Sequence, residues 1–419
     1  MAGSARMGFM ANASESNENT PTIAMRLPSF IFGSSPGASA VQTQSIVDSN
    51  TAFALSLYDE LKSRPGNIFF SPFSISTALA IAYAGARGET EKQMGRVLHF
   101  GTNQRQVHPT FGELQRRLSE ASEKPGIRLN IANALWAQKG HPFRPDFMEI
   151  SSGNYRANVN SADFLTAAEA ARGEINHWVS QQTNDRIQDI LPPDSLTDLT
   201  RLILANAVYF KGIWAEPFDA GETSSQPFHL LPMRRVQAQL MHHFDNVRYT
   251  GENDFQAVEL PYQSDELSMV ILLPREVDGC AGLERRLTPT LLSRSLIQMK
   301  PRPVEIFLPR FRLQSAFDLC APLAKMGMPN AFGPEADFSG IDGTRQLFIS
   351  GVFHKAWGEV NEEGTEAAAA TAMAVAGCAR MTPPPPPPVF RADHPFIFAI
   401  RDTRFGSVLI LGRLTDPTA

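Results

Sequence analysis

Apolar positions at helical spacing over residues 46–63, among them Val47, Phe53, Ala54, Leu57, Tyr58 and Leu61, predict an amphipathic helix. Ser71-Pro72 supplies an N-cap and a first-turn proline for a second helix through about residue 84. That helix is apolar on nearly every side, which predicts burial. Shorter helices are predicted over 88–100 and 110–122. An amphipathic one over 167–182 turns Ile175, Trp178 and Val179 inward. Residues 128–138 alternate as a strand, and 202–214 form a nearly continuous apolar strand suited to the middle of a sheet. Strands dominate 226–275, at 239–249, 256–261 and 267–273. A helix over 283–299, a strand over 304–313 and a helix over 317–326 follow. Strands return at 347–360 and within 389–414. No repeat or linker divides this order. Helices gather early and strands late, which predicts one α+β domain.

The 419 residues, 43% hydrophobic and 19% charged, can bury a core that needs no covalent staples. A net charge of -5 gives no electrostatic footprint for nucleic acid. The pairs Arg116-Arg117, Arg234-Arg235 and Arg285-Arg286 stand among acidic or apolar residues and read as solvated faces or turns rather than a polyanion site. Three widely spaced cysteines, Cys280, Cys320 and Cys378, are not a disulfide framework. No stretch is apolar enough to span a bilayer. Residues 1–44, rich in Ser, Asn, Ala, Gly and Pro, read as a disordered extension to a domain over 45–419. The patch Phe30-Ile31-Phe32 is too short and too far from a basic N-terminus for a signal peptide.

The run from Glu362 to Val375 suits no single state. Four successive alanines, Ala367, Ala368, Ala369 and Ala370, favour helix. Yet the run follows a strand and leads through Gly377, Cys378, Ala379, Arg380 and Met381 into six prolines, Pro383–Pro388, which cannot continue a helix. Counted by twos, Thr365, Ala367, Ala369, Thr371, Met373 and Val375 share one parity, and none is charged. Glu366, the only charge after Gly364 in the run, has the other parity. Such a run can enter the middle of a sheet without turning a charge toward a core.

This pattern resembles the hinge and reactive loop of the serpins. Three further motifs resemble that family in the same order. They are Asn67–Ser76 with Gly85-Ala86-Arg87-Gly88-Glu89-Thr90, Asn206–Trp214, and Phe390–Ile400. The resemblance covers about residues 45–416. It implies a single domain with a large central mixed β-sheet, two further sheets, about eight to nine helices, and an exposed reactive loop over about 362–388. It implies an irreversible, suicide-substrate inhibitor of a serine protease that acts as a monomer, without cofactor or metal and without nucleic acid or membrane. Strands 202–214 and 347–360 become neighbours whose interface can open to admit the cleaved loop.

By the family's register the hinge is Glu362, Glu363, Gly364, Thr365, Glu366 and Ala367–Ala370, and the reactive bond is Cys378-Ala379. A small apolar bait suits an elastase-, subtilisin- or chymotrypsin-like protease. A register slip to Arg380-Met381 would suit a trypsin-like one. Ser71, Ser74, Asn206 and His354 match the family's shutter, Trp214 lies beneath the same opening, and Glu362 matches a hinge glutamate with Arg310 as its basic partner. Pro383–Pro388 reads as a polyproline strut. Extracellular action is the family expectation, with the cytoplasm as the alternative compartment. A non-inhibitory binding, carrier or chaperone-like serpin is the alternative function; small Thr and Ala residues after Gly364 argue against it.

Enzyme chemistry finds no constellation. Gly33-Ser34-Ser35-Pro36-Gly37 fits G-x-S-x-G but lacks the strand and helix that its nucleophile elbow requires. Adjacent His242 and His243 point opposite ways in a strand and gather no ligand cluster.

Overall fold

The computed structural model describes residues 38–101, 104–122, 124–364 and 386–419. Elements follow in the order α1 (Ala38–Leu61), β1 (Ile68–Phe70), α2 (Pro72–Gly85), α3 (Gly88–Val97), α4 (Gln104–Ser122), β2 (Ile127–Gln138), α5 (Pro145–Tyr155), β3 (Asn158–Ala162), α6 (Phe164–Gln182), β4 (Leu202–Gly212), β5 (Ser224–Leu231), β6 (Arg234–Gly251), β7 (Phe255–Pro261) and β8 (Leu267–Pro274). Then come α7 (Cys280–Arg286), α8 (Pro289–Gln298), β9 (Lys300–Pro309), β10 (Phe311–Asp318), α9 (Cys320–Met326), α10 (Ser339–Asp342), β11 (Ile349–Val360), β12 (Val389–Arg391), β13 (Phe396–Asp402) and β14 (Val408–Leu414). The expected boundary at residue 44/45 falls inside α1, and Thr43 is already buried.

A five-stranded mixed sheet runs β10-β11-β4-β2-β3. Its β11–β4 contact is parallel, with His354 beside Asn206, and β2 pairs antiparallel to β4, with Asn133 beside Asn206. The other strands are joined through the long β6 into one nine-stranded network, β1-β14-β13-β8-β7-β6-β9-β12, with β5 paired to β6. The two further sheets expected therefore share hydrogen bonding. All fourteen residues of α2 are buried, as its uniform apolarity predicts. Its capping oxygen is Ser71 Oγ, which accepts the Ser74 N–H at 3.2 Å.

Three elements differ from expectation. The helix read over 283–299 is two, because Thr288 caps a new helix at Pro289. The strand read over 304–313 is also two: β9 and β10 lie in different sheets, and the chain switches between them at Arg310. The helix read over 317–326 starts only at Cys320, because Phe317 and Asp318 still pair with His354 and Phe353.

Candidate functional site

Beneath the centre of the β4–β11 ladder lies a closed polar cluster. The backbone N–H of Ser71 donates to His354 Nε2 at 3.1 Å. That bond makes Nε2 an acceptor, so the imidazole proton sits on Nδ1 and donates to Asn206 Oδ1. The Asn206 amide in turn donates to Ser74 Oγ and Asn133 Oδ1. Ser74 Oγ donates to Asn133 Oδ1 at 3.2 Å, and Ser71 Oγ donates to the Leu409 carbonyl at 2.6 Å. Burial pushes the His354 imidazole down to about 3, so it is neutral and its tautomer is fixed by its two partners. Ser71, Ser74, Asn206 and His354 are thus brought together. Asn133 completes the ring and is absent from the sequence reading; its signal was a lone amide in the apolar run Ile131–Trp136.

A second cluster closes the end of the same ladder. Glu362, 5% exposed, accepts from Arg310 and from Thr223 Oγ1. Burial alone would raise its carboxyl, but these hydrogen bonds outweigh it and hold the group below the ordinary range. Trp214 stacks flat on Tyr262, with centroids 4.7 Å apart and planes 7° from parallel. Its indole N–H donates to the Asn361 carbonyl at 3.0 Å, and its backbone N–H donates to Glu363 O at 3.2 Å. Phe218 N–H donates to Glu362 O at 2.9 Å. Thr223 and Tyr262 were not singled out in the sequence. A cavity of about 470 Å³ opens beside these residues, lined by Arg310, Arg312, Glu359, Asn361 and Glu362.

Gly364 fixes the position of the chain as it leaves β11. Its φ is +69°, and an added Cβ would stand 2.3 Å from Gly212 O and 2.3 Å from Trp214 N. Only glycine fits both the left-handed backbone and the approach. The chain therefore passes from the end of β11 to rest against the end of β4, directly over the seam between them. Thr365, Glu366, Ala367–Ala370, Cys378, Ala379, Arg380 and Met381 lie outside the described residues, as does Gly33–Gly37.

Cys280 and Cys320 are free thiols raised by burial to about 12 and to above the ordinary range respectively, which leaves both inert. His242 and His243 do face opposite ways: one lies against Glu222 and the other against Phe218. Among the described residues, no group of three or more His, Cys, Asp or Glu side chains is placed to hold a metal. Arg116 and Arg117 are engaged by Glu113 on their own helix, which supports the solvated-face reading of that pair.

The family model described as Serpin (serine protease inhibitor) matches residues 48–417. The leukocyte elastase inhibitor of Sus scrofa is 42% identical over 378 residues, spanning 88% of this chain and 98% of that protein. An uncharacterized serpin-like protein of Thermococcus kodakarensis is 41% identical over 377 residues, spanning 90% and 87%. Among solved structures, maspin superposes with a TM-score of 0.81 at 28% identity, covering 90% of this chain and 100% of maspin. Serpin48 of the insect Tenebrio molitor superposes with a TM-score of 0.78 at 33% identity, covering 89% and 98%. The chain belongs to the serpin family.

Proposed function

We propose that the chain is a single-use inhibitor of a serine protease, with residues after Gly364 as bait and as the strand that enters the sheet. The observation that carries this reading is the seat of Gly364 over the β4–β11 seam. A strand that follows β11 through so tight a turn runs antiparallel to it. Laid between β11 and β4, which are parallel, it replaces one parallel contact with two antiparallel ones, the more stable pairing. Backbone groups bonded to water outside the sheet gain ladder partners inside it. The uncharged parity from Thr365 to Val375 lets that strand turn a smooth face to the core.

The protease serine attacks the Cys378 carbonyl carbon, the Cys378–Ala379 C–N bond breaks, and the Ala379 amine leaves with the proton. The acyl ester stays on Cys378. Insertion then carries the protease along the sheet before water cleaves the ester. About fourteen residues at ~3.3 Å each move it roughly 46 Å, which pulls its catalytic groups out of register. In this scheme Ser71, Ser74, Asn206, His354 and Asn133 form the latch under the opening seam. Glu362, Arg310, Thr223 and Trp214 hold its entrance. Similarity to leukocyte elastase inhibitors supports an elastase-like target and the Cys378 bait; Arg380 remains the alternative for a trypsin-like one. The free thiols of Cys280, buried, and Cys320, partly buried, suit a reducing compartment and favour the cytoplasmic alternative.

Incubation with elastase, subtilisin, chymotrypsin and trypsin tests the reading. A covalent complex that survives denaturing electrophoresis is expected with at least one of them. Cleaved chain alone with all four would sink it. Mass spectrometry of the released peptide decides the bond: its first residue is Ala379 for the Cys378 bait and Met381 for the Arg380 bait.

A further inference from the structure

The hairpin that joins β5 to β6 ends in a tip unlike the rest of the surface. Leu231 pairs with Arg234 and His229 with Arg235, so Pro232-Met233 forms a two-residue turn. Met233 is 98% exposed and Leu231 55% exposed. Pro232, Arg234 and Arg235 are exposed as well. The base of the hairpin is fixed. Phe228 is fully buried, Leu230 and Val236 pack against the core, and the His229 N–H donates to Asp393 O at 2.7 Å. A scattered exposed apolar residue is ordinary, but two side by side on a firmly held tip mark a contact surface.

The charge of the tip runs against that of the chain. The protein holds 43 acidic against 38 basic residues, yet no Asp or Glu occurs from Thr223 to His243. Among the described residues no carboxylate pairs with the Arg234 or Arg235 side chain. By contrast, Glu113 holds Arg116 and Arg117, and Asp254 holds Arg286. The acids at the margin are committed elsewhere: Asp393 lies on His394 at 2.9 Å, and Glu222 on His242 at 2.5 Å. The tip is therefore apolar at its end and cationic just behind it.

We propose that the Leu231–Arg235 tip is a contact for an anionic lipid surface. The proposal is independent of the inhibitor reading, and it departs from the family expectation of no membrane contact. Depth favours lipid over a soluble polyanion. Arg235 lies two residues from Met233, about 7 Å along a strand. A bilayer surface that takes Met233 and Leu231 below its phosphates thus leaves both guanidiniums at phosphate level. A soluble polyanion would meet the two cations and leave the two apolar side chains in water. No helix among the described residues is long and apolar enough to cross a membrane, so the contact is peripheral. The net charge of -5 opposes approach and keeps it reversible.

The test is co-sedimentation of the full chain with phosphatidylcholine vesicles, with and without about one-third phosphatidylserine. Wild type is compared with Arg234→Gln/Arg235→Gln and with Met233→Ser, each checked for unchanged thermal melting. Wild type should prefer the anionic vesicles by at least about tenfold. The double variant should lose about fivefold per arginine, a deficit that shrinks as salt rises. Met233→Ser should bind about fivefold more weakly at every salt concentration. Covalent complex formation with a protease should be the same for all three chains. A wild-type preference for anionic vesicles of less than about twofold would overturn the proposal, as would a double variant that binds like wild type. Binding to heparin that falls in the double variant but not in Met233→Ser, without vesicle binding, would assign the tip to a soluble polyanion and overturn the lipid contact.

Discussion

His354 accepts the Ser71 backbone N–H at Nε2, 3.1 Å away, and donates from Nδ1 to Asn206. A second proton would have to sit on Nε2, facing another N–H. Native His354 therefore resists protonation down to about 3, whereas the unfolded chain takes the proton near 6.5. The unfolded state then binds more protons between those values, so stability is complete above pH 6.5 and declines as pH falls through that window. The loss at pH 5.5 relative to pH 7.5 should be about 1 kcal/mol from this group. His108, lowered to about 4 by burial, contributes a parallel slope. The check is the difference in urea midpoint against pH between wild type and His354→Asn; parallel slopes would refute the assignment.

Arg310→Ala should leave the Glu362 carboxylate buried with only Thr223 as a side-chain partner. Because Arg310 is 44% exposed and water screens part of its charge, the expected loss is about 1–2 kcal/mol rather than that of a fully buried pair. Chemical denaturation reads it. Arg310→Lys should recover less than half, since one ammonium cannot reproduce the two guanidinium contacts from Nε and Nη2.

Gly364→Ala should be costlier than any nearby surface change. A methyl group there meets two backbone atoms at 2.3 Å and a left-handed φ of +69°. The segment must move off the end of β4, breaking the Trp214 N–H to Glu363 bond, for about 2–3 kcal/mol. Thermal melting measures the loss, and Trp214 emission should shift as its stack on Tyr262 loosens.

Thr365→Arg should convert an inhibitor into a substrate, since a charged side chain at the start of the inserting strand delays the first step of insertion. Gel analysis should show cleaved chain replacing the covalent complex. Undiminished complex would remove Thr365 from the hinge.

Cleavage at the proposed bond should raise the melting temperature. About fourteen residues gaining ladder partners at ~0.5–1 kcal/mol each give roughly 7–14 kcal/mol. At about 2 °C per kcal/mol this is a rise of about 15–30 °C. A nicked chain that melts with the intact one would end the insertion scheme.

Much of this was legible in the chain. Alternation located β2, a nearly continuous apolar run located β4, and Ser71-Pro72 located the buried helix with its cap. Local pattern was silent where tertiary contact decides. In 304–313 the apolar positions change parity at Pro309-Arg310, from Val304, Ile306 and Leu308 to Phe311 and Leu313, but that break does not by itself report that β9 and β10 part into different sheets there. That switch is what aims Arg310 at Glu362. Asn133 stands in an apolar strand, but its role depends on lying beside Asn206 in the sheet, a relation between residues far apart in sequence. Thr288-Pro289, by contrast, was a readable start signal inside the run first read as one helix. The short α5 and β3 lack enough apolar periodicity to be read at all.

The parallel ladder of β4 with β11 sets the currency in which durability is measured. If the residues after Gly364 insert as proposed, the native sheet is governed by how slowly it rearranges, not by how far it lies above the unfolded chain. Shelf life, warming history and the barrier at Gly364 then matter more than any equilibrium figure. Stiffening the seam's entrance would lengthen storage while blunting the response to a cut.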